Sequence, residues 1–292
     1  MSGGLARGGL AYARDIGAET VQVFLSNPRG WAPAAGDPRQ DERFAAACAA
    51  SGMPAFVHAP YLVNLGSPTE ATRERSARLV AHTLARAGRI GARGVVVHTG
   101  SAVDGANREA AMRQVRESLL PLLDAPGSAS SGQAGTAAGT VPDLLLEPTA
   151  GQGQTLCATV ADLGPYLEAL DWHPRVGVCL DTCHAFAAGH DLAAPGGATA
   201  TLDALVETVG PGRLKLVHAN DSKDPVGSCR DRHERIGHGR IGRDAFAELL
   251  AHPAVRPVPV LIETPGGKDA HGGDVALLQS LQHGTESARA PG

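Results

Sequence analysis

Six apolar stretches of the sequence carry a histidine or a carboxylate at or near their last residue. The stretches read AFVHAP, GVVVHTG, DLLLEPT, VGVCLDT, KLVHAN and VPVLIET, and the residues are His58, His98, Glu147, Asp181, His218 and Glu263. One such histidine or glutamate is usually a structural residue with a hydrogen-bond or ion-pair partner. Three imidazoles and three carboxylates buried together cost too much free energy unless a cation organises them. The six residues therefore predict a metal centre.

Three further residues have the spacing of metal ligands. His184 follows Asp181 in the sequence DTCH, and Asp231 and His233 form an Asp-Arg-His triplet. In an extended backbone alternate side chains point to one side, so the ends of the triplet could bind one ion. Nitrogen and oxygen ligands without thiolate suit zinc, with manganese and iron as alternatives. Nine ligands are too many for one ion and, with a bridging carboxylate, suit two or three.

The elements that carry these residues have the pattern of a parallel sheet. Each apolar stretch is a run of Val, Leu, Ile and Phe rather than a strict alternation, which is typical of strands buried on both faces. With VQVFLS at 21–26 there are seven such stretches, separated by amphipathic segments of helical length. The chain opens on a helix-like segment, which predicts an α/β fold: a (β/α)8 TIM barrel that lacks its first β-strand at the N-terminus. A doubly wound open sheet is the alternative.

The barrel interpretation gives the candidate ligands a common location. The C-terminal ends of parallel barrel strands converge on one mouth, where active sites are built. We expect a single domain over residues 1–283, with the Gly/Ser/Ala/Thr-rich segment 125–140 as a flexible inserted loop and 284–292 as a disordered tail.

Composition limits the class of protein. The chain has 292 residues, 43% of them hydrophobic, and a formal net charge of −4, which excludes a disordered chain and argues mildly against a nucleic-acid binder. The five cysteines include no CxxC pair, so we expect reduced thiols. The sequence predicts no membrane segment and no secretory signal, and we expect a cytoplasmic monomer.

Two motifs near the triplet carry little weight. GHGRIG at 237–242 matches G-x-G-x-x-G, but it follows a charged loop rather than a strand, so a dinucleotide site is poorly supported. HERIGH at 233–238 resembles a zincin motif, but its second histidine is one position too far along.

Longer segments resemble the endonuclease IV family of apurinic/apyrimidinic endonucleases. They read FLSNPRGW, HAPYLVNLGSP, VHTGS, EPTAGQG, RVGVCLDTCHAFAAGHDL, HANDSKDPVGSCRDRHERIGHGRIG and LIET. The resemblance runs from about residue 3 to about residue 283, apart from 125–140. It implies three zinc ions, with manganese or iron(II) as alternatives at one position. The implied ligand sets are His58, His98 and Glu147; Glu147, Asp181, His218 and Glu263; and His184, Asp231 and His233.

The resemblance also implies a reaction and a substrate. The substrate is double-stranded DNA with an abasic site, bound while the enzyme is associated with the nucleoid. Hydrolysis 5′ to the site leaves a 3′-hydroxyl and a 5′-deoxyribose phosphate, and we expect a metal-bound hydroxide to attack the phosphorus in line. Glu147, as the bridging ligand, is the predicted catalytic residue.

DNA contacts follow from the same resemblance. It places Arg29, Tyr61 and Leu62 at the flipped-out site, although core packing or a solvated charge would explain these residues equally well without it. The basic run in 223–243 includes Lys223, Arg230 and Arg232, which we expect to contact phosphates.

Two departures from the family pattern bear on these expectations. Pro148 stands where the family usually has Asn, and the chain starts inside the turn that follows the family's first strand. We expect either that the true start lies upstream of Met1 or that the chain is truncated. The rival functions are a metal-dependent sugar isomerase or epimerase on the related barrel, and a non-catalytic DNA-binding barrel.

Overall fold

The computed structural model describes residues 4–125 and 141–287, and its strands follow the predicted apolar stretches. The strands in these residues are β1 Val21–Val23, β2 Ala55–His58, β3 Gly94–His98, β4 Asp143–Glu147, β5 Val176–Asp181, β6 Leu214–His218, β7 Asp221–Ser222, β8 His233–Glu234 and β9 Val260–Leu261. Seven of them form one parallel sheet in the order β1-β2-β3-β4-β5-β6-β9. The prediction of a TIM barrel is therefore confirmed, and in the described residues no strand precedes β1. The antiparallel hairpin β7–β8 is not predicted by the sequence.

Helices follow most of the barrel strands and cover the outside of the sheet. They are α1 Leu10–Asp15, α2 Pro38–Ser51, α3 Glu70–Arg89, α4 Arg108–Asp124, α5 Leu163–Ala169, α6 Thr182–Ala187, α7 Gly197–Val209, α8 Arg243–Ala251 and α9 Lys268–Ser287. Local chemistry defines their ends. In α2, the Asp37 carboxylate accepts a hydrogen bond from Arg39 N at the first turn, and Gly52 ends the helix with a φ of 65°.

Two predicted segments fall partly outside the described residues. Residues 126–140 of the predicted inserted loop lie outside the described residues, and Ala125 directly follows α4. Residues 284–287 of the predicted tail belong to α9, and residues 288–292 lie outside the described part.

The barrel has an inner and an outer core, because each strand buries both of its faces. The outer core packs strands against helices, with Phe44 and Phe246 among its largest fully buried side chains. The inner core takes one side chain from each of six strands: Phe56, Val96, Leu145, Cys179, Leu216 and Leu261. Side chains two positions further along a strand point to the same face. The residue two positions after each inner-core residue therefore also points into the barrel, at its mouth.

The sheet is nearly closed, with a seam between its edge strands β1 and β9. A cavity of about 620 Å³ lies along this seam, lined by residues of β1, β9, α1 and α9. At the C-terminal end the seam is bridged by Gln22, whose Nε2 donates to Glu263 Oε1 at 2.7 Å. No helix within 4–125 and 141–287 is long and apolar enough to cross a membrane.

Candidate metal centre

The six strand-end residues meet in the barrel mouth because of strand alternation. Each lies two positions after the inner-core residue of its own strand, as His58 does after Phe56 and Glu147 after Leu145. Five of them are the last residues of β2 to β6, and Glu263 lies just beyond β9. The polar residue of each strand therefore points inward at the end where the apolar layer stops.

Glu147 is fully buried at the middle of the cluster and is surrounded by imidazoles. Its Oε2 lies 3.1 Å from His58 Nε2 and 3.3 Å from His98 Nε2. Its Oε1 lies 3.1 Å from His218 Nδ1 and 3.5 Å from His184 Nδ1. The two carboxylate oxygens thus face two different groups of nitrogens, as the bridging position implied by the family resemblance requires.

The histidine and carboxylate atoms form three groups without cysteine, in each of which all atoms lie within 4.8 Å of one another. The groups are His58, His98 and Glu147; Glu147, Asp181, His218 and Glu263; and Asp181, His184 and His233. The first two coincide with the predicted sets. The third has Asp181 in the place of the predicted Asp231. Asp231 Oδ1 nevertheless lies 3.3 Å from His184 Nε2 and 3.1 Å from His233 Nε2.

The turn after β5 explains how Asp181 and His184 come together. Asp181 ends the strand and caps α6, since its Oδ1 accepts a hydrogen bond from His184 N at 2.9 Å. The first turn of the helix then directs the His184 ring toward Asp231. The β7–β8 hairpin pairs Ser222 with His233 and brings the triplet to the same place.

Four of the five histidines have one ring nitrogen near an acceptor outside the ligand set and the other facing the set, and Nδ1 of His184 lies near both such an acceptor and Glu147. Nδ1 of His58, His184 and His233 lies 2.6 to 3.1 Å from the carbonyl oxygens of Ala59, Pro148 and Glu263. His218 reverses the arrangement, with Nε2 2.9 Å from Gln22 Oε1. Such outer acceptors fix the tautomer of metal-binding histidines and direct a free lone pair inward. Pro148 contacts His184 through its backbone carbonyl. Proline in place of the family's usual Asn therefore does not change this contact.

Sequence reasoning missed two residues that hold the ligands. Gln22 contacts both Glu263 and His218. The fully buried Asn220 donates to Asp181 Oδ2 at 2.7 Å and accepts from Glu263 N at 2.7 Å. Gln22 could have been predicted from the sequence, because it is a polar residue within the apolar run VQVFLS.

The pKa values of the cluster reflect strong mutual attraction. Burial lowers the pKa of His184 and His233, but the charges of Asp181 and Asp231 outweigh burial and raise it to about 10 and about 9. Burial alone would raise the pKa of Glu147, yet the charges of His218 and His98 hold it well below its usual value. The groups are therefore paired acids and bases whose protons a cation would displace.

Two buried cysteines border the centre. Cys179 lies near Glu147 and His218, and Cys183 lies near Asp231 and His233. Burial raises the pKa of each thiol to about 12, so both are thiols in the protein without bound metal. The remaining donors of the cluster are nitrogen and oxygen atoms.

The residues predicted to contact DNA lie around the mouth. Arg29 is exposed in the segment after β1, and this segment is tied to the next loop by the bond from Tyr61 N to Pro28 O at 2.9 Å. The Tyr61 ring, 45% exposed, stacks on His98 at 5.7 Å, and Leu62 beside it is half-buried.

The basic residues of the β7–β8 loop have a different environment. Lys223, Arg230 and Arg232 are exposed. Arg232 Nε, however, donates to Asp224 Oδ2 at 2.6 Å, and Arg230 lies 3.7 Å from the same carboxylate. The Asp224 carboxylate partly neutralises this pair of guanidinium groups.

Comparisons with known proteins agree with this geometry. A family model described as a xylose isomerase-like TIM barrel matches residues 10–283. A Streptomyces avermitilis protein named "Probable endonuclease 4" is 60% identical over 284 residues, which cover 97% of this chain and 88% of that protein. The chain belongs to the endonuclease IV family. A Streptomyces coelicolor member with the same name is 58% identical, over 97% of this chain and 93% of its own length.

Solved structures place the chain in the same family and fold. Endonuclease IV from Thermus thermophilus superposes with a TM-score of 0.79 at 33% identity, covering 94% of this chain and 93% of that one. A D-tagatose 3-epimerase-like protein superposes with a TM-score of 0.68 at 16% identity, over 94% and 91% of the two chains. At that identity the second likeness shows the shared barrel alone.

Proposed function

We propose that this endonuclease IV family member is a zinc-dependent DNA-repair enzyme that hydrolyses the phosphodiester 5′ to an abasic site. The products are a 3′-hydroxyl and a 5′-deoxyribose phosphate. The observation that carries the proposal is the set of histidines whose inner nitrogens face Glu147 or Asp231 while their outer nitrogens are already bonded. The names of the related proteins support the choice of DNA as substrate.

The donor set fits metal ions. Within the described residues, the buried Nε2 atom of His233 has no well-formed hydrogen bond, although Asp231 Oδ1 lies 3.1 Å away. A buried polar atom in this condition is costly unless it has a ligand. Three zinc ions would be held by His58, His98 and Glu147; by Glu147, Asp181, His218 and Glu263; and by His184, Asp231 and His233, with Asp181 nearby. Manganese or iron(II) could replace zinc at one position.

The charge of the occupied centre suits a phosphodiester. Three divalent ions exceed the four carboxylates by two positive charges, so the mouth would attract a phosphate. When bound, such ions activate water and neutralise the charge that develops during phosphodiester hydrolysis. Glu147 is the catalytic residue of the chain in this proposal, because its two oxygens face two ligand groups at once.

The residues around the mouth would bind and orient the DNA. Tyr61 presents an exposed ring beside His98, where an unstacked base or sugar could pack, with Leu62 and Arg29 adjacent. Lys223, Arg230 and Arg232 would contact backbone phosphates from the other side. We propose that the protein works in this way as a single-domain, cytoplasmic monomer, associated with the nucleoid while on DNA.

The third ligand group distinguishes this function from a sugar isomerase or epimerase. That rival chemistry needs one or two ions, whereas His184, Asp231 and His233 add a further group at the same mouth. A non-catalytic barrel would have no need for a complete set of inward-facing histidine nitrogens.

The test is cleavage of a duplex that carries one tetrahydrofuran abasic analogue. We expect a cut on its 5′ side that leaves an end extendable by a DNA polymerase, loss of cutting with chelator and recovery with added zinc. Glu147→Gln should abolish the cut. The control is Glu248→Gln, which should not abolish the cut. The Glu248 carboxylate accepts hydrogen bonds from Gly196 N and Thr199 N, away from the centre. Chelator-resistant cutting, no cutting by zinc-loaded protein, or full activity of Glu147→Gln would contradict the proposal.

A further inference from the structure

The Gly-rich segment 237–242 wraps around a buried carboxylate of the protein itself. Asp221, at the start of β7, is fully buried. Its oxygens accept hydrogen bonds of 2.8 to 3.3 Å from five backbone N–H groups, those of Ser222, Gly237, Gly239, Ile241 and Gly242. The segment that matches a phosphate-binding pattern is therefore a nest whose anion is an internal side chain.

The glycines are necessary for this wrapping. Gly237 and Gly242 have φ angles of 76° and 80°, which residues with a side chain rarely adopt. A Cβ atom on Gly239 would lie 2.4 Å from Asp221 Oδ1 and 2.5 Å from Ser222 O. The backbone can approach the carboxylate only because position 239 has no side chain.

The same carboxylate sits at the base of the hairpin that carries two predicted ligands. Asp221 pairs with Glu234 and Ser222 with His233 across β7 and β8. Lys223 N donates to Arg232 O at 3.0 Å, and Arg240 N donates to Ser222 O at 2.7 Å. The segments before and after His233 are thus both joined to the Asp221–Ser222 strand.

We propose that Asp221 is a positioning residue that fixes the β7–β8 hairpin and so presents Asp231 and His233 to the third metal ion. Among the residues that the structure describes, the buried carboxylate has no cationic partner, and five backbone N–H groups satisfy its oxygens instead. Replacing one carboxylate oxygen by an amide NH2 would leave either the two N–H groups at Oδ1 or the three at Oδ2 facing a donor, and would free the 235–242 segment. The metal-binding consequence rests on the proposed function, whereas the ordering of the segment does not.

The test is Asp221→Asn, followed by hydrogen exchange and by metal content. In the metal-free protein, exchange in peptides covering 235–242 should accelerate by about tenfold or more, as expected when charge-assisted hydrogen bonds are lost. In the zinc-loaded protein, one ion should be lost while the others remain, and excess zinc should restore it. Asp162→Asn is the matched control, because Asp162 also accepts two backbone N–H bonds but lies in the segment after β4.

A second variant covers the case in which Asp221→Asn fails to fold. Gly239→Ala keeps the carboxylate and pushes the segment away from it, and we expect the same two effects. Its control is Gly267→Ala, where an added Cβ meets nothing within 4 Å. Wild-type exchange in 235–242 would overturn the inference. Faster exchange with unchanged metal content would overturn its metal-positioning part, and a wild-type protein without a third ion would instead count against the proposed function.

Discussion

Individual histidines of the centre are held by contacts that lie outside it. The bonds from His58, His184 and His233 to backbone carbonyls, and from His218 to Gln22, determine which nitrogen of each ring faces the carboxylates. A carbonyl acceptor is available from any residue type, so most of this arrangement leaves no trace in the sequence. The identity of the inward residues could be predicted from the strand ends, but their orientation depends on tertiary contacts.

The Tyr61 ring is the residue-scale feature that bears most directly on substrate binding. It stacks on His98 and contacts Phe24 and His58 edge-on, which leaves its outer face open. Stacking of an aromatic ring on a nucleotide is worth ~1–3 kcal/mol, so Tyr61→Ala should raise the KM for the abasic duplex by about tenfold and leave kcat nearly unchanged. Steady-state kinetics would check this.

A matched control for Tyr61 lies on the opposite end of the barrel. Trp172 is 40% exposed after α5 and packs against Arg213. Trp172→Ala should leave both kinetic constants unchanged. An unchanged KM for Tyr61→Ala would exclude a role for this ring in DNA binding.

Secondary-structure elements differ in how well the sequence predicts them. The barrel strands were predictable because their apolar runs are buried on both faces, although β1 and β9 are only the first or central part of the predicted stretches. The hairpin β7–β8 was not, since two-residue strands contain no periodicity. Its position depends on the Asp221 contacts, in which the partners lie up to 21 positions apart in sequence.

The interface between α2 and α3 contains a buried ion pair that supports the segment after β1. Arg86 of α3 donates to both oxygens of Asp41 of α2, at 3.0 and 2.9 Å, and to Leu25 O at 2.6 Å. Arg86→Met would leave the buried Asp41 with only the distant, half-exposed Arg89, whose Nε lies 3.9 Å from Oδ2. We therefore expect a loss of ~3–5 kcal/mol in the free energy of unfolding. Chemical denaturation would measure it.

The control for Arg86 is available on the same helix. Arg78 forms an exposed pair with Glu74, and Arg78→Met should change stability by at most about 0.5 kcal/mol. Combining Arg86→Met with Asp41→Asn should recover part of the loss. Equal stability of the Arg86 and Arg78 variants would refute the structural role of the pair.

Over the whole molecule, net charge is a poor guide to the surface that meets the substrate. The formal charge of −4 includes the four carboxylates of the centre, and three divalent ions would reverse the sign of the mouth. At the mouth, Gln22 joins the edge strand β1 to Glu263 and His218 through two hydrogen bonds. Metal binding should therefore stabilise the mouth of the barrel as well as supply its chemistry.

Metal removal is the corresponding prediction. Ions that bind only the folded state stabilise it by about 4 kcal/mol at a thousandfold excess over Kd, so chelator should lower the Tm by at least about 5 °C. Differential scanning calorimetry with chelator, and with the same chelator preloaded with zinc as the control, would test this. An identical Tm in the two samples would indicate that no ion contributes to the fold.

The most direct test of the account is anomalous X-ray diffraction from zinc-loaded crystals at the zinc absorption edge. We predict three peaks in the barrel mouth: one among His58, His98 and Glu147; one among Glu147, Asp181, His218 and Glu263; and one among His184, Asp231 and His233. A mouth without anomalous peaks, or peaks confined to residues outside these groups, would contradict the assignment of the strand-end residues to a metal centre.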